Sequence, residues 1–131
     1  MPHRGAVVMI VDSIVDEMEM YAEALLADGF RVTPCEEPAR ALAEAIADPP
    51  DVVVTRIMHA GASIDGLELT RRLKNHPRTR LVPVVIITSR IEPGLRAAAA
   101  ATGCDDFLLI PCLPEALIAV IKRVLSAASS A

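Results

Sequence analysis

The fold of this chain is decided first by a short apolar stretch, AVVMIVD at residues 6–12, which stops at the carboxylate of Asp12. Two runs of the same kind follow at Val52–Thr55 and Val84–Thr88. All three are nearly continuous in aliphatic residues instead of alternating with polar ones. That pattern is typical of strands that are covered on both faces, as in a parallel sheet. The three runs therefore predict the buried centre of a parallel β-sheet.

Two more short runs, Phe30–Cys35 and Asp106–Ile110, bring the number of predicted strands to five. Between and after the strands lie segments with the composition and stop signals of helices, ended by glycine or proline. The predicted helices are Val15–Ala27, Pro38–Ala47, Leu67–Asn75, Pro93–Thr102 and Pro114–Leu125. Strand and helix alternate five times with short links, which indicates a doubly wound α/β domain with right-handed crossovers.

The length and composition fit one folded domain. The chain has 131 residues, of which 53% are hydrophobic and 2% aromatic. An apolar content this high excludes a disordered chain, and the longest uncharged apolar runs are far shorter than the ~20 residues that span a bilayer. We expect a single domain over residues 1–125, followed at 126–131 by a Ser/Ala tail or the start of a linker.

The net charge and the cysteines indicate which partners and which cellular compartment to expect. The 13 Lys and Arg against 17 Asp and Glu give a net charge of −4, so there is no basic surface for nucleic acid or an anionic membrane. Cys35, Cys104 and Cys112 are odd in number and form no C-x-x-C pair, which indicates reduced thiols and no metal site. No secretion signal is visible. We expect a cytoplasmic protein that binds neither nucleic acid nor membrane.

In open α/β sheets the working site lies beyond the carboxyl ends of the strands. No glycine-rich phosphate loop follows the first strand, and no G-x-S-x-G turn occurs, which argues against nucleotide binding and against a serine hydrolase. The three histidines place no general base beside a nucleophile. The sequence therefore predicts that the domain is not an enzyme.

Five motifs occur in order over nearly the whole chain. They are VVMIVD at 7–12, PDVVV at 50–54, DGLEL at 65–69, PVVIITS at 83–89, and GCDDFL at 103–108 followed by Pro111. With these motifs the chain resembles the receiver domain of two-component response regulators. The resemblance implies a flavodoxin-like (βα)5 fold, a five-stranded parallel sheet of order 2-1-3-4-5, and a role in phosphorelay signal transduction.

Members of that family carry paired acids after the first strand, a phosphoacceptor aspartate at the end of the third, a Ser or Thr after the fourth and Lys-Pro after the fifth. Carried over by position, Asp12 matches the first acid, Thr88 the switch hydroxyl and Phe107 the switch aromatic. The resemblance also places Ser13 where the second acid would be, Arg56 at the phosphoacceptor position and Ile110 in place of the lysine. Because the family's Lys-Pro bond is usually cis, Pro111 is a candidate for a cis peptide bond.

The mapped pocket lacks the groups that the family's chemistry needs. The family's carboxylates hold the Mg²⁺ ion that neutralises the transferring phosphoryl group. An arginine cannot form an acyl phosphate, and because it stays protonated it does not ligate a metal. Asp12, Ser13 and Arg56 together sum to about zero charge. We therefore expect that Mg²⁺ binding and aspartyl phosphorylation are both lost, leaving no catalytic residue, no metal and no cofactor.

Arg56 is expected to pair with Asp12 across neighbouring strand ends, because two half-buried unpaired charges are costly. The alternative is that Arg56 reaches solvent while Asp12 caps the first helix. Of the other candidates, Asp65 is expected to cap the third helix, Glu17 to be a solvated acid in the first turn of its helix, and His59 to be an exposed loop residue.

The sequence thus predicts a degenerate receiver, or pseudo-receiver, that acts by protein–protein interaction. By analogy with the family its output surface comprises Pro93–Thr102, Phe107–Ile110 and Pro114–Leu125. The partner would be another protein, an output domain, or a second copy of the chain in a homodimer. Two alternatives stay open: a phosphorelay receiver in which Asp12 or Asp65 accepts the phosphoryl group, and a flavodoxin-like enzyme.

Overall fold

Strands and helices alternate along residues 3–130, the part of the chain that the computed structural model describes. The elements are β1 (Val7–Val11), α1 (Val15–Ala27), β2 (Arg31–Cys35), α2 (Pro38–Ala47), β3 (Val52–Arg56), α3 (Gly66–Lys74), β4 (Val84–Thr88), α4 (Leu95–Ala101), β5 (Asp106–Leu109) and α5 (Pro114–Ser130). All strand pairs are parallel, and the sheet order is β2-β1-β3-β4-β5. The predicted fold class and strand order are confirmed.

The sheet separates two apolar cores. On one side Val8 and Ile10 of β1 pack with residues of α1 and α5, and on the other Met9 and Val11 pack with residues of α2, α3 and α4. Successive side chains of a strand point to opposite faces, so a strand that fills both cores must be apolar at nearly every position. This explains the unbroken apolar runs of the central strands.

The start of α3 is pressed against the end of β3. The Gly66 N–H donates to the Ile57 carbonyl at 2.8 Å, and a Cβ built on Gly66 would lie 1.9 Å from the Arg56 carbonyl oxygen. Only glycine fits so close an approach. The preceding residue, Asp65, accepts a 2.8 Å hydrogen bond from the Glu68 N–H as the N-cap of α3, as predicted.

Three helices differ from the predicted bounds, and for α3 the difference is a shift of one residue at each end. Helix α5 continues five residues past Leu125 to Ser130, so this part of the predicted tail is helical, because its alanines favour helix; Ala131 lies outside the described residues. Helix α4 begins only after Gly94, whose φ of 81° is left-handed. Within residues 3–130, no helix has both the length and the apolar character needed to cross a membrane.

The cysteines are free thiols, with Cys35 buried and Cys104 and Cys112 partly buried. Burial raises the pKa of the Cys35 thiol and of the Cys104 thiol. The thiolate is the reactive form of cysteine, so these two side chains behave as small apolar residues of the interior.

Candidate functional site

The ends of β1 and β3 bring Asp12 and Arg56 together. The two strands are paired in parallel up to Val11 and Thr55, so the side chains that follow emerge at the same level of the sheet. Earlier residues on the same face of each strand belong to the core under α1 and α5. Because strand side chains alternate with a period of two, both charged side chains lie on the side of the sheet that α1 covers.

Arg56 forms its shortest contact with α1. Its Nη1 donates to Glu17 Oε2 at 2.6 Å, whereas its Nε lies 3.9 Å from Asp12 Oδ1. The Arg56 side chain is 13% exposed and that of Glu17 is 20% exposed. Arg56 therefore faces both carboxyl groups. The expectation that Glu17 is a solvated acid is wrong, because the first turn of α1 lies over the strand ends.

Asp12 is fully buried. Its Oδ1 accepts a 2.8 Å hydrogen bond from the Ile14 N–H, while its Oδ2 has no hydrogen-bond partner among the described residues. Desolvation, together with the neighbouring Glu17 carboxyl, raises the pKa of Asp12 to about 7, although the Ile14 N–H and Arg56 act in the opposite direction. Burial therefore favours the protonated form of this carboxyl group.

The remaining pocket positions carry no ionisable group. The Ser13 side chain is exposed. Ile110 is buried in the core under α1 and α5, and its N–H donates to the Thr88 carbonyl at 2.9 Å. The Ile110–Pro111 peptide bond is cis. An aliphatic side chain thus packs where the family places its lysine.

The two switch positions make contacts of their own. Thr88 is buried, and its Oγ1 accepts a 3.1 Å hydrogen bond from the Arg90 N–H in the loop that follows β4. Phe107 of β5 is partly buried, and the guanidinium carbon of Arg96 on α4 lies 4.8 Å from its ring centroid. That distance is within the range of a cation–π interaction, so Arg96 links α4 to β5.

His59 is a part of the site that the sequence reasoning missed. It is 7% exposed, not a surface residue. Its Nε2 donates to the Arg56 carbonyl at 2.8 Å, and Thr55 Oγ1 donates to the same carbonyl at 2.9 Å. Burial lowers the pKa of His59, which favours the neutral ring. The sequence offered no signal for this burial, because the apolar Met58 is exposed while its polar neighbour His59 is buried.

The site is therefore an ion-pair cluster. Asp12 and Glu17 supply two carboxyl groups and Arg56 one cation, and the cluster is neutral when Asp12 keeps its proton. Within residues 3–130, no group of three or more His, Cys, Asp or Glu side chains is arranged to hold a metal ion.

The family model and the most similar curated proteins point to the same family. The family model of the response regulator receiver domain matches residues 8–122. The phosphate regulon transcriptional regulatory protein PhoB of Pseudomonas aeruginosa is 32% identical over 121 residues, which are 92% of this chain and 52% of that protein. The response regulator PleD of Caulobacter vibrioides is 32% identical over 120 residues, 92% of this chain and 26% of that protein.

A solved structure gives the same result. A putative response regulator from Chloroflexus aurantiacus superposes with a TM-score of 0.87 at 26% identity, and the match covers 94% of this chain and 99% of that one. The chain spans about half the length of PhoB and a quarter of the length of PleD.

Proposed function

The chain belongs to the response regulator receiver family, and from this premise we propose that it is a pseudo-receiver, which signals through protein–protein contacts without being phosphorylated on an aspartate. The observation that carries the proposal is the ion pair of Arg56, at the phosphoacceptor position, with Glu17. An arginine side chain has no carboxylate to attack a phosphoryl group. Its guanidinium fills the space beside Asp12.

The family implies Mg²⁺, and the residues present do not fit that ion. Mg²⁺ requires near-octahedral coordination by hard oxygen ligands. Here the Glu17 carboxylate binds Arg56, the Ser13 side chain is exposed, and the free oxygen of Asp12 lies close to a guanidinium that repels a divalent cation. We propose that the pocket holds no Mg²⁺ and that the domain needs no cofactor.

The alternative phosphoacceptors are less suitable. Asp12 is fully buried, so a phosphodonor cannot approach it without displacing Arg56. Asp65 uses one carboxylate oxygen to cap α3. Nothing in the cluster forms a nucleophile–base pair, which supports a signalling domain rather than an enzyme.

The partner surface that we propose is the one expected from the family, formed by α4, β5 and α5. Leu109 at the end of β5 is 41% exposed, and Leu113 before α5 is 73% exposed. Exposed aliphatic side chains of this kind are suited to a contact with a protein. Because PhoB and PleD are longer than the matched region, the partner is an output domain or a separate protein, with a homodimer as the alternative.

Incubation with acetyl phosphate and Mg²⁺, followed by intact-mass measurement, tests the proposal. We expect no acid-labile gain of roughly 80 Da, the mass of one phosphoryl group. A receiver domain with the family's full set of acids and lysine, treated in the same mixture, is the positive control. A stoichiometric adduct on the wild-type chain would overturn the proposal.

A further inference from the structure

Two carboxyl groups compete for one guanidinium at this site. Glu17 receives the 2.6 Å hydrogen bond of Arg56 Nη1, while Asp12 is only 3.9 Å from Nε. Asp12 is 0% exposed, and its Oδ2 lacks a hydrogen-bond partner among the described residues. A buried ionised oxygen without a donor is costly, so this arrangement favours a protonated Asp12.

The surroundings of Asp12 contain few other charges. From α1 it faces Glu17, and from β3 it faces Arg56. On the other side β2 contributes the Cys35 carbonyl, which accepts the Asp12 N–H at 3.0 Å. Farther along α1 the Tyr21 hydroxyl lies 3.6 Å from the Cys112 thiol sulfur. Burial raises the pKa of Tyr21, so this phenol stays neutral.

We propose that the Asp12–Glu17 pair holds one proton at neutral pH, and that release of this proton draws the Arg56 guanidinium from Glu17 towards Asp12. The site is then a pH-sensitive switch in the contact between α1 and β3. This inference does not depend on whether the chain is phosphorylated. The switch consists of the two carboxyl groups and the guanidinium, and its input is the binding or release of one proton.

The charges balance in both states. With the proton bound, Asp12 is neutral and Arg56 forms a neutral pair with Glu17. When the proton passes to solvent, the cluster carries one net negative charge and Asp12 becomes an anion. Arg56 has five N–H donors in a fixed planar fork, and its Nε is 3.9 Å away, so a small rotation brings it into hydrogen-bond range of Asp12. Glu17 then shares its cation, and α1 is held less tightly to β3.

The raised pKa of Asp12, about 7, agrees with this geometry. Since two interacting carboxyl groups titrate as a pair, the observable is the titration of the cluster.

NMR of the full chain between about pH 3 and about pH 9 tests the switch. The signals followed are the side-chain carboxyl ¹³C of Asp12 and Glu17 and the ¹⁵Nε of Arg56. We expect one carboxyl transition near neutral pH and an Arg56 ¹⁵Nε shift with the same midpoint. A carboxyl midpoint in the ordinary range near pH 4, or an Arg56 signal that does not follow the carboxyl, would overturn the inference.

Three variants separate the contributions. Asp12→Asn should abolish the neutral-pH transition and the Arg56 shift. Glu17→Gln should lower the Asp12 midpoint by about one pH unit, a tenfold change in proton affinity, because Arg56 then serves Asp12 alone. Glu23→Gln, at an exposed position on the same helix, is the matched control and should change neither signal. An unchanged Asp12 midpoint in Glu17→Gln contradicts the pairing, and the wild-type titration decides the matter if a variant fails to fold.

Adding Mg²⁺ distinguishes a failure here from a failure of the proposed function. The titration should be the same with and without the ion. A midpoint that moves only when Mg²⁺ is present would contradict the proposed lack of metal binding, whereas the Mg²⁺-free curve alone decides the proton switch.

Discussion

Arg56 Nη1 donates a 2.6 Å hydrogen bond to Glu17 Oε2, so the residue that we propose for the phosphoacceptor position is tied to the first turn of α1. The two residues are 39 positions apart in the chain. This contact joins the end of β3 to α1 on one side of the sheet, next to the buried carboxyl group of Asp12.

Replacing Arg56→Asp alone should not restore phosphorylation by acetyl phosphate. The exposed Ser13 still supplies no second carboxylate for Mg²⁺, and the buried Ile110 supplies no lysine. Intact-mass measurement should show no phosphoryl adduct. The triple replacement with Ser13→Asp and Ile110→Lys is the comparison that supplies the missing groups. If the single variant is phosphorylated efficiently, the account of the pocket is wrong.

Removing the carboxylate of Glu17 should destabilise the fold. Glu17→Gln leaves a mostly buried Arg56 with only the more distant Asp12, and we expect a loss of about 1–3 kcal/mol in the free energy of unfolding. Urea denaturation measures it. Glu19→Gln, at an exposed position on the same helix, is the control and should stay within about 0.5 kcal/mol of wild type. Equal effects of the two substitutions would show that the ion pair does not stabilise the fold.

Asp12 should make stability depend on pH in a defined direction. Its pKa rises from 3.8 to about 7 on folding, mainly through burial, so the folded state holds the proton more tightly than the unfolded state. This stabilisation is complete below the unfolded pKa, and it is lost as the pH rises to about 7. For one proton, the free energy of unfolding changes by at most about 1.4 kcal/mol per pH unit.

The comparison of wild type with Asp12→Asn isolates the contribution of the Asp12 cluster, because carboxyl groups outside the cluster affect both chains equally. The wild type should lose stability relative to the variant between about pH 5 and about pH 8, measured by urea denaturation. A constant difference between the two chains over this interval would show that Asp12 does not titrate there.

Gly66→Ala should be severely destabilising. The added Cβ would lie 1.9 Å from the Arg56 carbonyl oxygen, so α3 or the end of β3 must move. We expect a loss above about 3 kcal/mol in the free energy of unfolding, since the clash is with backbone. Gly61→Asn is the control, because Gly61 has a left-handed φ of 72° with open space around it and asparagine tolerates that conformation. Similar losses at both glycines would contradict the close-approach argument.

The sequence was sufficient for the architecture because the decisive signals are local. Continuous apolar runs identify the central strands, and Asp65 before Gly66 identifies the start of α3. The resemblance then orders the strands. The end of α5 was misplaced because a Ser/Ala segment has little apolar periodicity, although alanine itself favours helix.

The site was predicted only in part, because the residues that form it come from different helices, strands and loops. Arg56 and Asp12 lie at the ends of neighbouring strands, which the register makes foreseeable. Glu17 has the same local signature as any acid in a first helical turn, so nothing in the sequence distinguishes it from the exposed Glu19. The burial of His59 depends on how the loop after β3 packs, and loop packing leaves no periodic signal.

The contacts around the backbone of residue 56 have a consequence for substitutions at this position. The carbonyl of Arg56 accepts from Thr55 and His59 and lies against Gly66, and none of these contacts involves the Arg56 side chain. These three contacts hold the backbone at this point through main-chain atoms of residue 56 alone. The backbone anchor at this strand end is therefore separate from the side chain that carries the charge, so a substitution at residue 56 leaves these three contacts in place.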